Sequence, residues 1–342
     1  MLYDLLLNMK SLKHYISESF KIGRNKMAKL ITPKDKDKLN NILNDIFENW
    51  DRKSVISLNN IDVSNITDMK QLFYRNVIPE NAIIDVSNWD VSNVSDMDSM
   101  FSFSRVKNII GLEKWDVRNV NNFHGMFYKC INLETLDLNG WVFNRVGVTS
   151  YKLMFYGCIS LKYINLSNWK FSNADFQSFL QECDSLKNVD LTGWENNTIT
   201  YMSNMFYQCI NLETIKNIEN LNTSLCCAMR GVFTGCGKLK QLDLSKWDVE
   251  EVRATTYMFL NCYNLVSVGD LSHWNLKHII NLQEMFMNCI NLKYAGDLNK
   301  WIDIFIERAK DCRCICTSIF KKARKLANRP TEKELEKYCI MK

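Results

Sequence analysis

Proline, glycine and histidine are scarce in this sequence of 342 residues. It contains 3 Pro, 12 Gly and 4 His, whereas hydrophobic residues make up 46% and charged residues 24%. This composition excludes low-complexity and disordered chains, so it predicts a folded protein. The sequence contains no His-Glu-x-x-His motif, glycine-rich phosphate loop or Gly-x-Ser-x-Gly elbow. We therefore expect a non-enzymatic protein that carries no cofactor.

Long apolar stretches are also absent. No stretch approaches the roughly 18 consecutive apolar residues that a transmembrane helix needs, so we expect no transmembrane segment. The first residues lack the basic region and the small-residue cleavage site of a secretory signal. We therefore expect no secretion signal and no export by that route.

The charges are unevenly distributed along the chain. Residues 1–54 contain 11 Lys and Arg against 7 Asp and Glu, residues 55–304 contain 21 against 26, and residues 305–342 contain 11 against 5. Both ends are basic and the long middle part is acidic. An acidic body is unfavourable for a nucleic-acid groove, so we expect no nucleic acid to bind there.

One repeated phrase dominates the middle of the chain, and its clearest copy is LKQLDLSKWDVEEVRATTYMFLNC at residues 239–262. Apolar and polar residues alternate around Leu242–Leu244, which predicts a short half-buried strand. Met258, Phe259 and Cys262 would share one side of a short helix, so the second half of the copy predicts a helix. Neither piece can bury its apolar side until the next copy stacks on it, which favours a solenoid.

Alignment of the copies, which are 25 to 28 residues long, gives three apolar columns. The tryptophan column contains Trp89, Trp115, Trp141, Trp169, Trp194, Trp247, Trp274 and Trp301, with Ile61 and Leu221 as substitutes. The phenylalanine column contains Phe73, Phe101, Phe127, Phe155, Phe206, Phe233, Phe259 and Phe286, with Phe179 one turn out of register. The cysteine column contains Cys130, Cys158, Cys183, Cys209, Cys236, Cys262 and Cys289, with Cys312 as a weaker match. We expect all three columns to form the buried core.

The predicted architecture is an α/β solenoid of about ten strand-turn-helix repeats with helical caps at both ends. We expect an amphipathic segment at residues 1–30, a capping helix within residues 31–54, the repeats at residues 55–304 and a basic helical cap at residues 305–342. Thr32 and Pro33 predict the start of the first capping helix, and the repeat pattern stops at Ile302. For residues 1–30, a helix packed on the body, a docking tag for a larger assembly and a membrane-surface helix all remain open.

The cysteine column is interpreted as a set of reduced core residues. A free cysteine behaves as a small buried hydrophobe, and a period near 26 is not a metal-ligand spacing. Disulfides between neighbouring copies are the alternative. Near the end of the chain, Cys312, Cys314, Cys316 and Cys339 leave zinc binding open, although Cys-x-Cys-x-Cys lacks the paired spacing that is usual for zinc.

Acidic and amide residues form a fourth column, four positions before each tryptophan. Its members are Asp85, Asp137, Asn165, Asp190, Asn217, Asp243, Asp270 and Asp297. Because strand side chains alternate between the two faces, this position points away from the core. Acids stacked near 5 Å repel by roughly 1 kcal/mol per pair in water. The column therefore indicates either hydrogen bonds to nearby backbone or a binding face for basic groups or cations.

Two phrases carry a family resemblance. IIDVSNWDVSNVSDMDSMF, from Ile83 to Phe101, and NLETLDL, from Asn132 to Leu138, resemble the BspA-like leucine-rich-repeat surface proteins. The resemblance covers about residues 55–301 and implies a right-handed solenoid that adheres to proteins or host surfaces. The phrase MKSLKHYISESF, from Met9 to Phe20, is similar to the N-termini of proteins from bacteriophages of gut Bacteroides.

These observations predict a protein-binding or adhesion module that uses the exposed strand face of the solenoid. Its partner would be a protein or another macromolecule of basic character. The alternative is a structural or packaged component of a phage particle, held by phage structural proteins through its N- and C-terminal helices. The expected location is the bacterial cytoplasm or a phage virion, and the resemblance implies the cell surface instead.

Overall fold

The computed structural model describes residues 29–75, 77–143, 149–308 and 315–339. Over these residues the backbone forms a parallel β-solenoid, in which each copy of the repeat places a short strand beside the strand of the next copy. The prediction of a stacked repeat solenoid is therefore confirmed at this level. The amphipathic segment predicted at residues 1–30 falls almost wholly outside the described residues, and so do Cys312 and Cys314.

The strands are two or three residues long. They are β1 (Ile56–Ser57), β2 (Ile83–Asp85), β3 (Asn108–Ile110), β4 (Thr135–Asp137), β5 (Tyr163–Asn165), β6 (Ala174–Asp175), β7 (Asn188–Asp190), β8 (Ile199–Tyr201) and β9 (Thr214–Lys216). Strands β1 to β5 form one parallel sheet in chain order, and β7 pairs with β9. Single bridges from Gln241 to Ser267 and from Ser267 to Tyr294 repeat the same pairing further along. The centre of each three-residue strand is buried or nearly so, as the alternation predicts, apart from β8, where the first residue, Ile199, is the buried one.

A second parallel ladder runs through the segment before each phenylalanine. It joins Asp68, Asp96, Asn122, Ser150 and Asp175 in succession and continues through the pairing of β6 with β8. Each copy is thus fixed to the next at two places on its circumference. Because a parallel ladder bonds each strand to both neighbours, no copy depends on its own short strand alone.

The predicted helix in each repeat is wrong, because the segment forms a series of turns. In one copy the N–H of Met100 donates to the carbonyl of Met97 at 3.2 Å, whereas the N–H of Phe101 donates to Met126 of the next copy at 2.8 Å. This alternation continues along the segment, and Ser99 adopts a left-handed backbone with φ of 54°. An α-helix would use every N–H internally, whereas here every second N–H links neighbouring copies.

The three apolar columns lie in the core. Every tryptophan of the column is at most 4% exposed, and so are the substitutes Ile61 and Leu221. The column phenylalanines stack on one another, with ring centroids 5.2 Å apart for Phe101 and Phe127 and 5.1 Å apart for Phe259 and Phe286. Offset stacks of this kind add stabilisation beyond the buried area.

Each column tryptophan also has a polar role. Its indole Nε1–H donates to a backbone carbonyl of the preceding copy, for example from Trp141 to Leu112 at 2.8 Å and from Trp169 to Leu138 at 2.7 Å. The column cysteines do the same with their thiols, as Cys209 does to the carbonyl of Leu180 at 3.0 Å. A carbonyl oxygen has two lone pairs, so most of these carbonyls accept both the side chain and a turn N–H; Leu180, for example, also accepts the N–H of Cys183 at 3.3 Å.

The alignment needs two corrections. Phe179 is one residue out of register rather than one turn, because Leu180 occupies the phenylalanine column and Phe179 the methionine position before it. The repeat also does not stop at Ile302: Asn281 bridges Ile315, and Phe320 stacks on Phe286 at 5.7 Å. This last copy follows an inserted helix and lacks tryptophan, which hid it from the alignment.

Among the described residues, three α-helices lie outside the regular copies. Helix α1 (Lys36–Glu48) begins three residues after Pro33, with Asp35 as its N-cap, so the predicted start at Thr32 is wrong. Asp35 accepts from the N–H of Lys38, and an acidic residue suits the positive end of the helix dipole. Helices α2 (Trp301–Arg308) and α3 (Glu332–Tyr338) follow the repeats, and Thr331 with Glu334 forms a capping box on α3.

Candidate functional site

The strand face is the surface formed by the outward side chains of the strand ladder and by the residues directly before each strand. The predicted acidic column lies on it. Asp85 ends β2, Asp137 ends β4 and Asn165 ends β5, and Asp137 is opposite Asn165 in register. These side chains are half-buried, as a position just past a buried strand centre predicts.

Most members of the column make hydrogen bonds to their own turn. Their Oδ1 accepts the backbone N–H two residues on, which is an Asx-turn. The N–H donors are Ser87 to Asp85 at 3.0 Å, Asn139 to Asp137 at 3.1 Å, Ser167 to Asn165 at 3.2 Å, Thr192 to Asp190 at 2.9 Å and Ser245 to Asp243 at 3.0 Å. The same oxygen often also accepts the hydroxyl of that residue, as in Ser245 at 2.6 Å. The column therefore turns the chain out of the strand, which was one of its two predicted roles.

Hydrogen bonding to the ionised form lowers the pKa of three carboxyls of the column, those of Asp190, Asp243 and Asp270. The Ser245 hydroxyl and then its backbone N–H hold the pKa of Asp243 below its ordinary value. At Asp270 the N–H of Ser272 does so first and its hydroxyl second. At Asp190 burial acts to raise the pKa but is outweighed by the hydroxyl of Thr192 and by Lys216. Asp190, Asp243 and Asp270 therefore stay ionised at neutral pH.

Three members do not lie in the predicted register. Asp190 is opposite Lys216, so Asn217 falls one position further along. The bridges from Gln241 to Ser267 and from Ser267 to Tyr294 place Gly269 and Gly296 in the column, one residue before Asp270 and Asp297. Each of these copies contains one extra residue between strand and tryptophan, and two of them continue as the 3-10 helices Ile218–Asn220 and Leu298–Lys300.

The glycine in this register is required by a close approach. A Cβ on Gly269, whose φ is +83°, would lie 2.4 Å from Oδ1 of Asp243 in the preceding copy. Real Cβ atoms do not approach an oxygen so closely, and an L-residue disfavours that φ. The carboxylate of Asp243 therefore fits beside the next copy only because that copy has glycine, with no side chain, at position 269.

The strand face is of mixed charge rather than uniformly acidic. The residues directly before β3, β4, β5, β7 and β9 are, in that order, Lys107, Glu134, Lys162, Lys187 and Glu213. Glu134 accepts Lys107 at 3.8 Å and Lys162 at 3.3 Å, and Lys216 reaches Asp190 at 2.9 Å. These pairs are largely exposed, so each contributes little stability. They do place positive charge beside the acids, which offsets the repulsion expected from stacked carboxylates.

The described residues contain no cluster of metal-binding side chains. Over residues 29–75, 77–143, 149–308 and 315–339 there is no group of three or more His, Cys, Asp or Glu side chains that could hold a metal ion. His124 places Nδ1 3.1 Å from Asp98, which also pairs with Lys70 at 2.8 Å on the surface. Within the same ranges no helix is long and apolar enough to cross a bilayer.

A second surface, which the sequence did not predict, is formed by the exposed residues of the turn segments; we call it the turn face. Tyr74, Phe103, Tyr128 and Tyr156 form a ladder there, with centroids 5.9, 5.3 and 5.0 Å apart in succession. Lys129 lies over the rings of Tyr128 and Tyr156 at 5.6 and 5.9 Å. The signal was present in the sequence, because an aromatic residue follows the column phenylalanine in several copies.

Comparison with known proteins gives a family match over most of the repeats. A family model described as "Mycoplasma protein of unknown function, DUF285" matches residues 40–169 and 174–301, together more than half of the chain. A search of curated proteins finds no significant match. The predicted phage origin gains no support from the family match.

Several solved structures resemble the chain at low identity. A leucine-rich repeat protein from Bacteroides ovatus is 15% identical, covers 76% of this chain and 69% of its own, and has a TM-score of 0.38. The plant peptide hormone receptor RGFR1 in complex with RGF2 is 12% identical over 69% of this chain, with a TM-score of 0.30, and the present chain spans only 46% of that receptor. A leucine-rich cell surface protein from Faecalibacterium prausnitzii is 15% identical over 73% of this chain and 81% of its own, with a TM-score of 0.23. With every TM-score below 0.5, these similarities carry no argument about function.

Proposed function

The chain belongs to the DUF285 family, and from that premise we propose that it is a non-catalytic scaffold whose strand face binds another protein. The observation that supports this most directly is the strand face itself. Successive parallel strands present rows of exposed polar and charged side chains at a spacing of about 4.8 Å. The strand face is an extended surface rather than a pocket, and such surfaces suit macromolecular ligands.

The mixed charge of the strand face determines how it would bind. Lys162 and Lys187 alternate with the acidic column across neighbouring copies, and Lys216 interrupts that column beside Asp190. A partner with charges of both signs would match this pattern better than a uniformly basic one. Charge complementarity of this type governs the rate and specificity of association more than raw affinity. The adhesive role implied by the family resemblance is one form of this proposal.

We also propose the number and hand of the copies and the way the two ends of the solenoid are covered. About ten right-handed copies would be closed by α1 at one end and by the C-terminal helices at the other. Helix α1 supports this, since Leu39, Leu43 and Phe47 are buried and Phe47 contacts Phe73 at 6.2 Å between ring centroids. A terminal copy needs such a cover for its apolar face.

Photocrosslinking in the native cells would test the strand face. A benzoylphenylalanine replaces Thr214, which is exposed on the strand face, or Met287, which lies on the turn face. We expect a discrete protein adduct from position 214 and none from position 287. The double variant Lys162→Glu and Lys187→Glu should weaken that adduct at least fivefold while the melting temperature stays within a few degrees. Equal adducts from both positions would show that this face has no special role.

A second set of variants separates a basic partner from a mixed one. Asp137→Asn and Asp243→Asn should preserve the fold, because Asn165 occupies the same register and makes the same bonds to Ser167. If the partner is basic, the double variant should lose binding; if the lysines dominate, it should bind as the unchanged protein does. If this variant and the lysine variant both bind as the unchanged protein does, the proposal is contradicted.

A further inference from the structure

A cleft of about 530 Å³ opens on the turn face, away from the strand face. Its lining consists of Gln177, Gln181, Glu182, Ser203, Asn204, Tyr207, Arg230, Gly231, Thr234 and Tyr257. These residues come from four successive copies, so the stacking of the solenoid, rather than any single copy, forms the cleft. All of them lie within the described range 149–308.

The cleft exists because one copy has small residues where its neighbours have large ones. Gly231 has φ of +62° and takes the left-handed position that Asn204 fills in the preceding copy and Tyr257 in the following one. A Cβ on Gly231 would lie 2.5 Å from Oδ1 of Asn204. Thr234 likewise takes the position of Tyr207. Tyr207 and Tyr257 belong to the copies on either side of these small residues, and we call the space above the small residues the gap.

The lining has the chemistry of a site for hydroxyl groups. Its amides and hydroxyls can each donate and accept hydrogen bonds, which is what a ligand rich in hydroxyls requires. Tyr207 and Tyr257 contribute ring surface that suits the apolar C–H face of a sugar. The phenol of Tyr156 and the amide of Gln181 both donate to Oε1 of Glu182, at 2.9 and 3.3 Å, which fixes that carboxylate as a further acceptor.

The charges of the lining favour a neutral ligand. Glu182 supplies one negative charge and Arg230 one positive charge, and no other lining residue is charged. The Arg230 guanidinium lies 5.4 Å from the centroid of the Tyr257 ring. A net charge of zero gives no electrostatic preference for an anion or a cation. From these observations we propose that the cleft binds a neutral carbohydrate, with one sugar ring in the gap between Tyr207 and Tyr257.

The test compares two asparagine substitutions at equivalent positions. Gly231→Asn fills the cleft with the residue that the preceding copy has at this position, and asparagine tolerates the left-handed backbone. Gly125→Asn is the matched control, since Gly125 also has a positive φ and a Cβ there would meet nothing nearer than 3.4 Å. A second variant, Tyr257→Asn, removes one ring and places at a φ of 64° a residue that tolerates the left-handed backbone better than tyrosine does. Melting temperatures of all three establish that they fold.

The full chain is applied to a printed array of neutral and acidic oligosaccharides, and each glycan retained is titrated by calorimetry. We expect at least one neutral glycan to bind the unchanged protein and Gly125→Asn equally, and to bind Gly231→Asn and Tyr257→Asn at least tenfold more weakly. The inference is overturned if no neutral glycan is retained, if Gly231→Asn binds as the unchanged protein does, or if only acidic glycans such as hexagalacturonate bind. The strand-face variants should not change this binding, so the two proposals fail independently.

Discussion

At the scale of single residues, the core of this protein depends on side chains that are both apolar and hydrogen-bonding. Trp169 buries its indole completely and donates to the carbonyl of Leu138, and Cys158 buries its thiol and donates to the carbonyl of Phe127 at 3.1 Å. Tryptophan and cysteine suit these columns because each combines apolar volume with one donor. An apolar residue of equal size would fill the space and remove this donor, although the carbonyl of Phe127 would keep the N–H of Cys130 at 3.1 Å.

Trp169→Phe tests this dual role. The substitution removes the indole N–H and some volume, so we expect the free energy of unfolding to fall by about 2–4 kcal/mol. The measurement is urea denaturation followed by circular dichroism. The control is Trp50→Phe, because Trp50 makes a comparable bond to Ser54 at 2.8 Å in an exposed setting and should cost less than about 1 kcal/mol. Equal losses from the two variants would show that burial of the bond does not matter.

At the scale of the element, the turn segment explains where sequence reasoning succeeded and where it did not. The buried positions Met97, Met100 and Phe101 have helical spacing, so periodicity alone could not distinguish a helix from this series of turns. The signal that favours turns was the frequent Gly and Asn at the two left-handed positions, such as Gly125 and Asn204. The strand, by contrast, followed directly from alternation of apolar and polar residues.

The register of neighbouring strands was the second feature that the sequence did not predict fully. Counting back from tryptophan located Asp85, Asp137 and Asp243 correctly, because those copies have equal numbers of residues between strand and tryptophan. It misplaced Asp270 and Asp297, because an inserted residue shifts the strand against the core without disturbing either pattern. Only the pairing of neighbouring strands reveals such a shift, and pairing is not visible in one copy.

Two glycine substitutions measure the close approach on the strand face. Gly269→Ala would place a Cβ 2.4 Å from Oδ1 of Asp243, whereas Gly140→Ala, at a similar positive φ of 75°, would meet nothing within 4 Å. Both carry the cost of a left-handed backbone, which is about 1 kcal/mol. We expect Gly269→Ala to lose at least ~2 kcal/mol more than Gly140→Ala in chemical denaturation. Similar losses would mean that the carboxylate moves aside freely.

At the scale of the whole molecule, the cysteine column makes stability depend on pH in the alkaline range. Burial raises the pKa of Cys158, Cys209 and Cys289 from the ordinary 9.0 to about 12. The folded protein therefore keeps these protons while the unfolded chain loses them near pH 9. The stabilisation is complete below the ordinary pKa and is lost as pH rises from about 9 towards 12.

We expect the free energy of unfolding to fall steeply above pH 9, by up to ~1.4 kcal/mol per pH unit for each such thiol. Urea denaturation under reducing conditions at several values between pH 7 and pH 10.5 measures the slope. Lysines and tyrosines also titrate in this range, so the double variant Cys209→Ala and Cys289→Ala is the reference. Its slope should be shallower than that of the unchanged protein, and an identical slope would contradict the assignment.

The turn segments give the array a direction. In them the N–H groups of Gln71, Phe73 and Arg75 all donate forward, to carbonyls of the next copy, and later copies repeat this. Among the described residues no earlier copy donates to the carbonyls of the first turn segment, and the ammonium of Lys36 on α1 donates to one of them, at Lys70. The opposite end has N–H groups to satisfy, so its cover must supply acceptors. If the covers of the two ends were exchanged, donors would face donors and acceptors would face acceptors. For the same reason two such arrays could associate end to end only in the same direction, with the N–H groups of one end facing the carbonyls of the other.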